Sequence, residues 1–597
     1  MAPSGTTRRS FMKTMGAGGL ALTLPGLRPS GPAQGGTSGP ARPNVLLILC
    51  DDIGYGDLAC LGNPVIQTPR IDKLHAASLR LTDFHVDPTC SPTRSSLLTG
   101  RYASRVGVWH TIMGRSILPR DEVTMAETFL GGGYRTGIFG KWHLGDNYPF
   151  RAMDRGFQES LVFGGGAIGN MPDYWGNDYF DDHYCRNGRW EPQTGYCQDV
   201  FFKAAMDFMA ASGDKPFFCY LPTNVAHWPH NVAEDYARPY RGKVPNNRAT
   251  LYGMIANLDE NMGRLMAFLR EKGLEENTIL VFLSDNGTGF GADFDKDGFV
   301  TGGFNAGMRG DKSTVYEGGH RVPCFIRWPS GGLGGGRDVT PLTAHFDLLP
   351  TLLGLCGLRR PEGGPLDGLS LEPLLRGKAA PERTLVVHNQ RVDEPIMWKD
   401  CAVMAGRWRL INGRELYDLD SDPEERHDLA AAHPERVQTM RRDYERWWRD
   451  VSGRFGEYVW IPVGAEGHDT VTLSSHDLHG QVCWDQSQVK RNSRTDGFWT
   501  VEVARAGAYE IDVRRFPEES GLPLRGAPQG AKEFKPIHAR LKVADIDQTR
   551  PLGEADKAVT FPVRLSAGRT RLQAWLVDDI ENGETNGAYY VSVRRAR

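Results

Sequence analysis

The stretch Asn44-Val-Leu-Leu-Ile-Leu-Cys50 decides the fold, because it is an unbroken apolar run with Pro43 before it and Asp51 after it. A short apolar run between such boundaries is typical of a strand that is buried on both faces of a parallel sheet. The stretch therefore predicts an α/β domain with further strands of the same kind along the chain.

Further short apolar runs follow this first strand and read as additional strands. They lie at residues 136–139, 217–221, 278–284, 322–327 and 384–388. Helical patterns lie between them, and the clearest covers residues 249–272, with one apolar stripe and Gly273 as its end. Strands that alternate with helices predict a large mixed, mostly parallel sheet flanked by helices.

Composition excludes several classes of protein. The chain has 597 residues, with 70 Lys and Arg against 73 Asp and Glu, so the formal net charge is only −3. This balance argues against a protein that coats nucleic acid or another polyanion. Hydrophobic residues at 40% and aromatic residues at 10% exclude global disorder. No later stretch approaches the roughly 18 continuous apolar residues of a membrane helix, so we expect a soluble mature protein without stable membrane insertion.

Residues 1–43 resemble a bacterial twin-arginine signal peptide followed by a linker. Arg8-Arg9-Ser10-Phe11-Met12-Lys13 precedes a weakly apolar, Gly-rich run, and residues 25–43 are rich in Pro, Gly and Ser. The alternative is a basic tail that happens to hold two arginines. The resemblance implies the twin-arginine export machinery as a partner and a periplasmic or secreted location.

The 10 cysteines show no CxxC pair and no Cys/His cluster typical of zinc. Cys50, Cys219 and Cys324 lie inside apolar runs, and we expect them to be ordinary core residues. Twin-arginine substrates fold in a reducing cytosol, so the fold cannot depend on disulfides. Cys185 and Cys197 flank a turn-rich loop and could still pair after export.

In a parallel sheet, ligands bind beyond the carboxyl ends of the strands, so polar residues just past those ends are candidate site residues. They are Asp51, Asp52, Lys141, His143, His227, Asp285 and Asn286. For any one of them, a solvated turn or a helix cap is also a sufficient interpretation. The three carboxylates and the amide oxygen supply the hard ligands that Ca²⁺ or Mg²⁺ prefers, and a divalent cation would relieve their mutual repulsion.

Cys90 lies at the predicted start of a helix, because Pro92 suits a first helical turn and residues 95–98 continue helically. Free N–H groups at a helix start favour an anion, and Arg94 would add a positive charge one turn later. These residues fit equally well a buried cysteine beside a surface arginine.

Cys90-Ser-Pro-Thr-Arg94 followed by Leu98-Thr-Gly-Arg101 resembles the signature of the type I sulfatases of the alkaline phosphatase-like superfamily. In that signature the cysteine is converted to formylglycine after translation. Other blocks that resemble this family occur in the family's order, at residues 51–57, 140–145, 284–287, 309–319, 347–351, 366–370 and 415–420. The resemblance covers roughly residues 44–450 and implies a smaller α+β C-terminal subdomain after the large α/β domain.

The resemblance also implies roles for the candidate residues. Asp51, Asp52, Asp285 and Asn286 would bind one divalent cation, usually Ca²⁺, together with the formylglycine made from Cys90. The catalytic and sulfate-binding residues of the family correspond to Arg94, Lys141, His143, His227 and Lys312. His230 remains an alternative to His227, since the surrounding block matches only loosely. The partners implied are a sulfate-ester substrate and a formylglycine-generating maturation enzyme.

In the family mechanism, a hydroxyl of the hydrated aldehyde attacks sulfur, with its pKa lowered by the metal and by a carboxylate that we assign to Asp51. Arg94, Lys141 and Lys312 would neutralise the ester's charge. His227, with Lys312 nearby, would protonate the leaving alcohol, because a histidine of ordinary pKa can give a proton at neutral pH. His143 would then deprotonate the second hydroxyl, which expels sulfate.

Residues 293–298 start like a calcium loop, with Asp293, Asp295, Asp297 and Gly298 at the expected positions, but Phe304 stands where the bidentate Glu belongs. A second calcium site and a polar loop at the rim of the active site are therefore both open.

From about Gly456 onward, short alternating runs predict an antiparallel β-sandwich, so the expected domains are 1–43, 44–345, 346–455 and 456–597. A structural or lid role is one interpretation of the last domain. Sugar binding through exposed aromatic rings is the other, although Trp484, Trp499 and Trp575 could equally be core residues.

Three functions remain open from the sequence. The first is an exported sulfatase that hydrolyses sulfate monoesters, including those of carbohydrates. The second is a phosphonate monoester or phosphodiester hydrolase with the same formylglycine site, and turnover of aryl phosphonate against aryl sulfate esters separates the two. The third is a sulfoglycan-binding protein in which Cys90 is never converted, which would bind ligand without turnover.

Overall fold

The computed structural model describes residues 42–526, 528, 533–579 and 584–596. The predicted twin-arginine segment falls almost entirely on residues 1–41, outside the described residues. Among the described residues, none of the helices combines the length and the apolar character that a membrane crossing needs.

The centre of the fold is a mixed sheet of ten strands in which Asn44–Cys50 is a middle strand. Asn44–Cys50 runs parallel to Phe217–Pro222 on one side and to Thr278–Ser284 on the other. Arg135–Lys141 continues the parallel part beyond Phe217–Pro222. In sheet order the strands are Asp338–Val339, Leu79–Leu81, Cys324–Arg327, Thr278–Ser284, Asn44–Cys50, Phe217–Pro222, Arg135–Lys141, Glu159–Phe163, His183–Arg186 and Arg189–Pro192.

Successive side chains of the middle strand enter two different hydrophobic cores. Leu46 and Ile48 join one core and Leu47 and Leu49 the other, so the strand is buried on both faces, as its sequence predicts. The first core is completed by the helices Pro69–Ala77, Cys197–Ala210 and Asn246–Glu271. The second is completed by the helices Cys90–Thr99, Met125–Gly131 and Leu348–Leu355. The predicted α/β architecture is confirmed.

A separate antiparallel sheet of four strands follows the large sheet in the chain. Its strands are Thr384–His388, Cys401–Ala405, Trp408–Ile411 and Glu415–Asp418. The helix Pro434–Val451 packs on it through Met440 and Tyr444. The predicted strand at 384–388 therefore exists, but it belongs to this smaller α+β unit and not to the large sheet.

Two facing sheets form the C-terminal part of the chain. One contains Ile461–Val463, Asp496–Val503, Gly568–Asp579, His538–Val543 and Ile546–Pro551, with His479–Gln481 and Glu584–Gly587 paired to it. The other contains Thr470–Ser474, Tyr590–Arg595, Gly507–Arg514 and Val559–Leu565. They enclose one core that includes Trp499, so the predicted β-sandwich is confirmed, while the domain boundaries at 345 and 455 stay predictions.

Several smaller expectations can be compared with the structure. Cys50, Cys219 and Cys324 are fully buried core residues, as predicted. Cys185 and Cys197 are both free thiols. The calcium-like loop closes a β-hairpin, where the carboxylate of Asp295 accepts hydrogen bonds from two amides of its own turn. A second calcium site there stays a prediction.

A buried ion pair joins the four-stranded sheet to the large domain. The guanidinium of Arg409 lies 2.6 Å from Glu317 and 3.0 Å from Asp83, and both Arg409 and Glu317 are only 1% exposed. Burial alone would raise the pKa of Glu317. The positive charge of Arg409 outweighs this effect, so the pKa of Glu317 is lowered. Glu317 is therefore a buried anion, with Arg409 as its closest cationic partner and Arg321 at 3.5 Å as a second one.

We expect Arg409→Met to lower the free energy of unfolding by about 3–5 kcal/mol, because it removes the closest partner of the buried Glu317 carboxylate and leaves the more distant Arg321. Arg407→Met is the matched control, since Arg407 lies two residues away with a side chain that is 49% exposed in its pairing with Asp418. An exposed pair contributes about 0–1 kcal/mol. Denaturant unfolding of both variants measures the difference, and equal effects would contradict the role of the buried pair.

Candidate active site

Four neighbouring parallel strands end at the same edge of the large sheet, and the predicted site residues follow those ends. Asp51 and Asp52 follow the middle strand, and Asp285 and Asn286 follow the adjacent strand Thr278–Ser284. Lys141 ends its strand, and His143 and His227 come from the next two loops. The structure therefore brings together seven residues that the sequence places up to 235 positions apart.

Each of the three carboxylates is paired with a cation. The pairs are Lys141 with Asp51 at 2.8 Å, Lys312 with Asp52 at 2.7 Å, and Arg94 with Asp285 at 2.7 Å. All of these side chains are buried except that of Lys312, which is 21% exposed. Buried charges need such partners, because an unpaired carboxylate would lose its solvation without compensation.

Cys90 begins the helix Cys90–Thr99, as predicted, and is 2% exposed. Its Sγ lies 3.7 Å from Oδ1 of Asp51 and 3.6 Å from Oδ1 of Asn286. Arg94, one turn later, is fully buried and donates to Asp285. The interpretation with a surface arginine is therefore wrong, because this guanidinium points into the same cluster as Cys90.

The cluster fits a divalent cation by the chemistry of its donor atoms. Asp51, Asp52, Asp285 and Cys90 each offer one atom, and these atoms lie within 4.8 Å of one another. The side-chain oxygen of Asn286 lies beside Cys90, and its amide nitrogen donates to Asp52 at 2.9 Å. Three carboxylates and one amide oxygen are typical of a site for a hard ion such as Ca²⁺ or Mg²⁺.

The electrostatics of the cluster differ from residue to residue. Burial raises the pKa of Asp51, and the charge of Lys141 opposes that rise. Burial also acts on Asp52, but the neighbouring Lys312 and His227 outweigh it and lower the pKa of Asp52. Burial raises the pKa of the Cys90 thiol to about 12 in spite of the lysines nearby. An unmodified Cys90 would therefore be a neutral thiol at physiological pH.

His227 is better placed than His230 to act on a bound ester. Its Nε2 lies 3.8 Å from Asp52, whereas His230 packs edge-on against Phe290. Nδ1 of His227 lies 2.5 Å from the carbonyl of Trp228, so that nitrogen carries the proton. Burial and Lys312 lower the pKa of His227 to about 3, so the expectation of an ordinary pKa is wrong.

His143 is held as a neutral base. Its Nε2 lies 2.9 Å from the carbonyl oxygen of Thr111, so Nε2 donates and Nδ1 keeps its lone pair. Burial and the charge of Lys141 put the pKa of His143 well below its ordinary value. Nδ1 is buried and has no hydrogen-bond partner among the described residues. This nitrogen is therefore free to accept a proton from a bound molecule.

A cavity of about 160 Å³ lies at the cluster, and Cys90, His143, His227 and Lys312 line it. Sequence reasoning missed most of the other residues that line it. They include Thr111, Asn170, Trp228, Arg391, His476 and Asp485. None of these residues lies in a motif of its own. Trp484 also lines the cavity, and the sequence offers it only as one of several aromatic residues of the last domain.

Comparison with known proteins agrees with this geometry. A family model described as Sulfatase matches residues 43–358, and one described as N-sulphoglucosamine sulphohydrolase, C-terminal, matches residues 308–446. Arylsulfatase A of Homo sapiens is 32% identical over 67% of this chain and 86% of its own length. N-acetylgalactosamine-6-sulfatase of Canis lupus familiaris is 31% identical over 59% of this chain and 69% of its own length.

Among solved structures, the crystal structure of Ps i-CgsB in complex with k-i-k-neocarrahexaose has a TM-score of 0.60 and 26% identity. The match covers 68% of this chain and 92% of that one. The large sheet, with its charged cluster at the carboxyl ends of the strands, defines an alkaline-phosphatase-like α/β hydrolase. The chain belongs to the sulfatase family and is a sulfuric ester hydrolase.

Gly166 packs directly on the imidazole of His143, and a Cβ at this position would overlap the ring. Because the ring cannot stay where it is beside an alanine, we expect Gly166→Ala to displace His143. A misplacement of about 1 Å costs roughly a hundredfold in rate, which is the expected fall in kcat/KM for 4-nitrophenyl sulfate.

The control is Gly131→Ala, because a Cβ at Gly131 meets no atom of the described residues within 4 Å. Thermal melting of both variants checks that the fold is retained. Equal activities of the two variants would contradict a functional position of His143.

Proposed function

We propose that this chain is an exported sulfatase that hydrolyses sulfate monoesters of carbohydrates through a formylglycine made from Cys90 and one bound Ca²⁺. The convergence of Cys90 with three carboxylate–cation pairs at the end of the sheet carries this proposal. A sulfate ester is anionic and repels nucleophiles, so its hydrolysis needs several fixed positive charges around the sulfur.

The state of Cys90 supports its conversion. A neutral thiol is a weak nucleophile, and burial holds Cys90 in that state, with a pKa of about 12. A formylglycine hydrate supplies a hydroxyl for attack and a second hydroxyl that can release the sulfate. The start of the helix Cys90–Thr99 and the buried guanidinium of Arg94 would hold that residue in place.

The metal would be held by Asp51, Asp52, Asp285 and Asn286. When bound, it supplies positive charge that neutralises the ester and favours ionisation of a hydroxyl beside it. Lys141 and Arg94 would hold the sulfate oxygens from the protein side, since Lys141 is buried against Asp51 and Arg94 against Asp285 in the same cluster.

Proton transfer would be divided between the two sides of the cavity. Lys312 lies at Asp52, and its pKa is raised because the charge of Asp52 outweighs the effect of burial. Lys312 would therefore be the charged donor beside the leaving alcohol, while His227 would be neutral until an anionic ester approaches its Nε2, which lies 3.8 Å from Asp52. His143 would accept a proton at Nδ1, the ring nitrogen that has no hydrogen-bond partner among the described residues.

Relatives support carbohydrate esters as the substrate class. One relative is named for a sugar substrate, as an N-acetylgalactosamine-6-sulfatase. The related structure of Ps i-CgsB is a complex with k-i-k-neocarrahexaose. The twin-arginine resemblance of residues 1–43 supports export, with a periplasmic or secreted protein as the result.

Cys90 should appear as formylglycine in protein made by a host that converts a control sulfatase. The peptide of residues 81–94 contains Cys90 and no other cysteine, so its mass spectrum reads this position alone. Cys90→Ala should abolish turnover of 4-nitrophenyl sulfate, because it removes the nucleophile, while the melting temperature stays close to that of the unchanged chain.

Unmodified Cys90 in a host that converts a control sulfatase would contradict the formylglycine proposal. Full activity of Cys90→Ala would contradict it as well. Faster turnover of 4-nitrophenyl phenylphosphonate than of 4-nitrophenyl sulfate would instead favour the phosphonate hydrolase, which uses the same residues.

One Ca²⁺ per chain should bind, and removal of it by EGTA should abolish turnover until Ca²⁺ is returned. Asp285→Asn should lose the ion, because it removes one of the three carboxylates of the cluster. Asp295→Asn is the control, since Asp295 is exposed in its hairpin turn. Elemental analysis and calorimetry measure the stoichiometry.

Retention of Ca²⁺ by Asp285→Asn would contradict the placement of the ion at this cluster. A second equivalent of Ca²⁺ that is lost in Asp295→Asn would assign a second site to the hairpin.

A further inference from the structure

The active-site cavity has a wall that comes from the C-terminal β-sandwich. His476, Trp484 and Asp485 line the same cavity as Cys90, although the matched family models end at residue 446. We propose that this wall binds the sugar ring whose sulfate ester is cleaved, with Trp484 and Trp228 against the ring and His476 bonded to one of its hydroxyls. This proposal rests on the proposed function and specifies its substrate as one sulfated sugar residue at a chain end.

Trp484 has a fixed main chain and an available ring. Its carbonyl accepts from the amide of Met171 at 2.9 Å, and its amide donates to the side chain of Gln488 at 2.8 Å. The adjacent Gln486 donates to the carbonyl of Gly169 at 3.0 Å. Despite these constraints, Trp484 is 45% exposed. An exposed indole on a fixed main chain at a cavity is suited to the apolar face of a sugar ring.

Trp228 provides a second exposed indole at the same cavity, with 49% of its surface exposed. Its carbonyl holds the ring of His227, so Trp228 is fixed beside a residue of the catalytic cluster. Exposed apolar surface around a cavity is typical of a ligand-binding site.

His476 carries a buried hydrogen-bonding atom that the protein does not satisfy. It is 2% exposed, and its Nδ1 lies 3.1 Å from the carboxylate of Asp477. Its Nε2 has no partner within the described part of the chain, and its ring lies 5.8 Å from that of His143, centroid to centroid. A buried polar atom without a partner loses its hydration without compensation, and a bond to a ligand hydroxyl would recover that loss.

The wall is firmly attached to the catalytic domain. Arg115, which is 3% exposed, and His479 of the sandwich both bond to Oδ1 of Asp393, at 2.8 and 3.0 Å. The amide of Met113 donates to the carbonyl of His476 at 2.9 Å. At Gly114 a Cβ would come within 2.6 Å of the His479 ring, which shows how closely the two parts approach. The wall is therefore held in a fixed position before a ligand binds, and the sandwich is not a module on a flexible tether.

The size of the cavity limits what it can hold. Its volume of about 160 Å³ is below the roughly 300–1,000 Å³ typical of sites for drug-sized ligands. One sugar ring beside the sulfate therefore fits this space better than an internal stretch of polysaccharide, which would need an open groove.

The test compares the full-length chain with Trp484→Ala and His476→Phe, after Cys90 conversion has been verified. Turnover is measured with galactose 6-sulfate, glucosamine 6-sulfate and the 4- and 6-sulfates of N-acetylgalactosamine. Inhibition of 4-nitrophenyl sulfate turnover by inorganic sulfate reports on the sulfate end of the site. The matched control is Trp190→Ala, because Trp190 is 40% exposed but lines a different cavity.

For the preferred sugar sulfate, each of the two variants should raise KM by about tenfold, equivalent to roughly 1.4 kcal/mol, with a smaller change in kcat. The inhibition constant of inorganic sulfate should change much less, and Trp484→Phe should recover most of the affinity. Trp190→Ala should leave every value within about twofold, because Trp190 does not line the cavity that holds the ester.

Unchanged KM values in both Trp484→Ala and His476→Phe would overturn the sugar-binding wall and leave the sulfatase proposal intact. Turnover of 4-nitrophenyl sulfate without turnover of any of the sugar sulfates would also overturn the sugar-binding wall and leave the sulfatase proposal intact. If converted protein hydrolyses no sulfate ester at all, the proposed function itself fails, and the inference fails with it.

Discussion

Three carboxylates buried at the end of one sheet are the constraint on which the rest of the structure depends. The carboxylates of Asp51, Asp52 and Asp285 have oxygen atoms within 4.8 Å of one another and therefore repel one another. Cations from three other segments keep them together. Arg94 comes from a helix, Lys141 from a strand two places away from Asn44–Cys50 in the sheet, and Lys312 from a long loop. Because each buried charge needs its partner, these segments must be correctly placed at the same time.

The same constraint explains why chemistry occurs at this point of the fold. Parallel strands end at one edge, so their loops meet there and can gather charges from distant parts of the chain. The helix that starts at Cys90 points its first residue into this group, and its arginine completes one of the pairs. A divalent ion and an anionic ester can enter the cluster with little change, since its positive and negative charges are already arranged.

Much of this could be read from the sequence, for local reasons. The strand at 44–50 and the helix at 249–272 follow from the spacing of their apolar residues. Contacts with other segments seldom change the type of element that such spacing predicts. The cluster follows from the polar residues after strand ends and from the motif around Cys90. The ordinary pKa expected for His227 was wrong, because its pKa depends on burial and on Lys312, which lies 85 positions away. The sheet to which residues 384–388 belong was likewise decided by their pairing with Cys401–Ala405, which an apolar run does not reveal by itself.

The sequence by itself determined the elements, the α/β class and the chemical types gathered at the site, because apolar period and side-chain chemistry are local properties. Only the tertiary structure decided which charges pair, that Arg94 is buried, and that His476 and Trp484 of the last domain line the cavity of Cys90. The physical reason is that these contacts join segments hundreds of residues apart, through packing that no local pattern encodes.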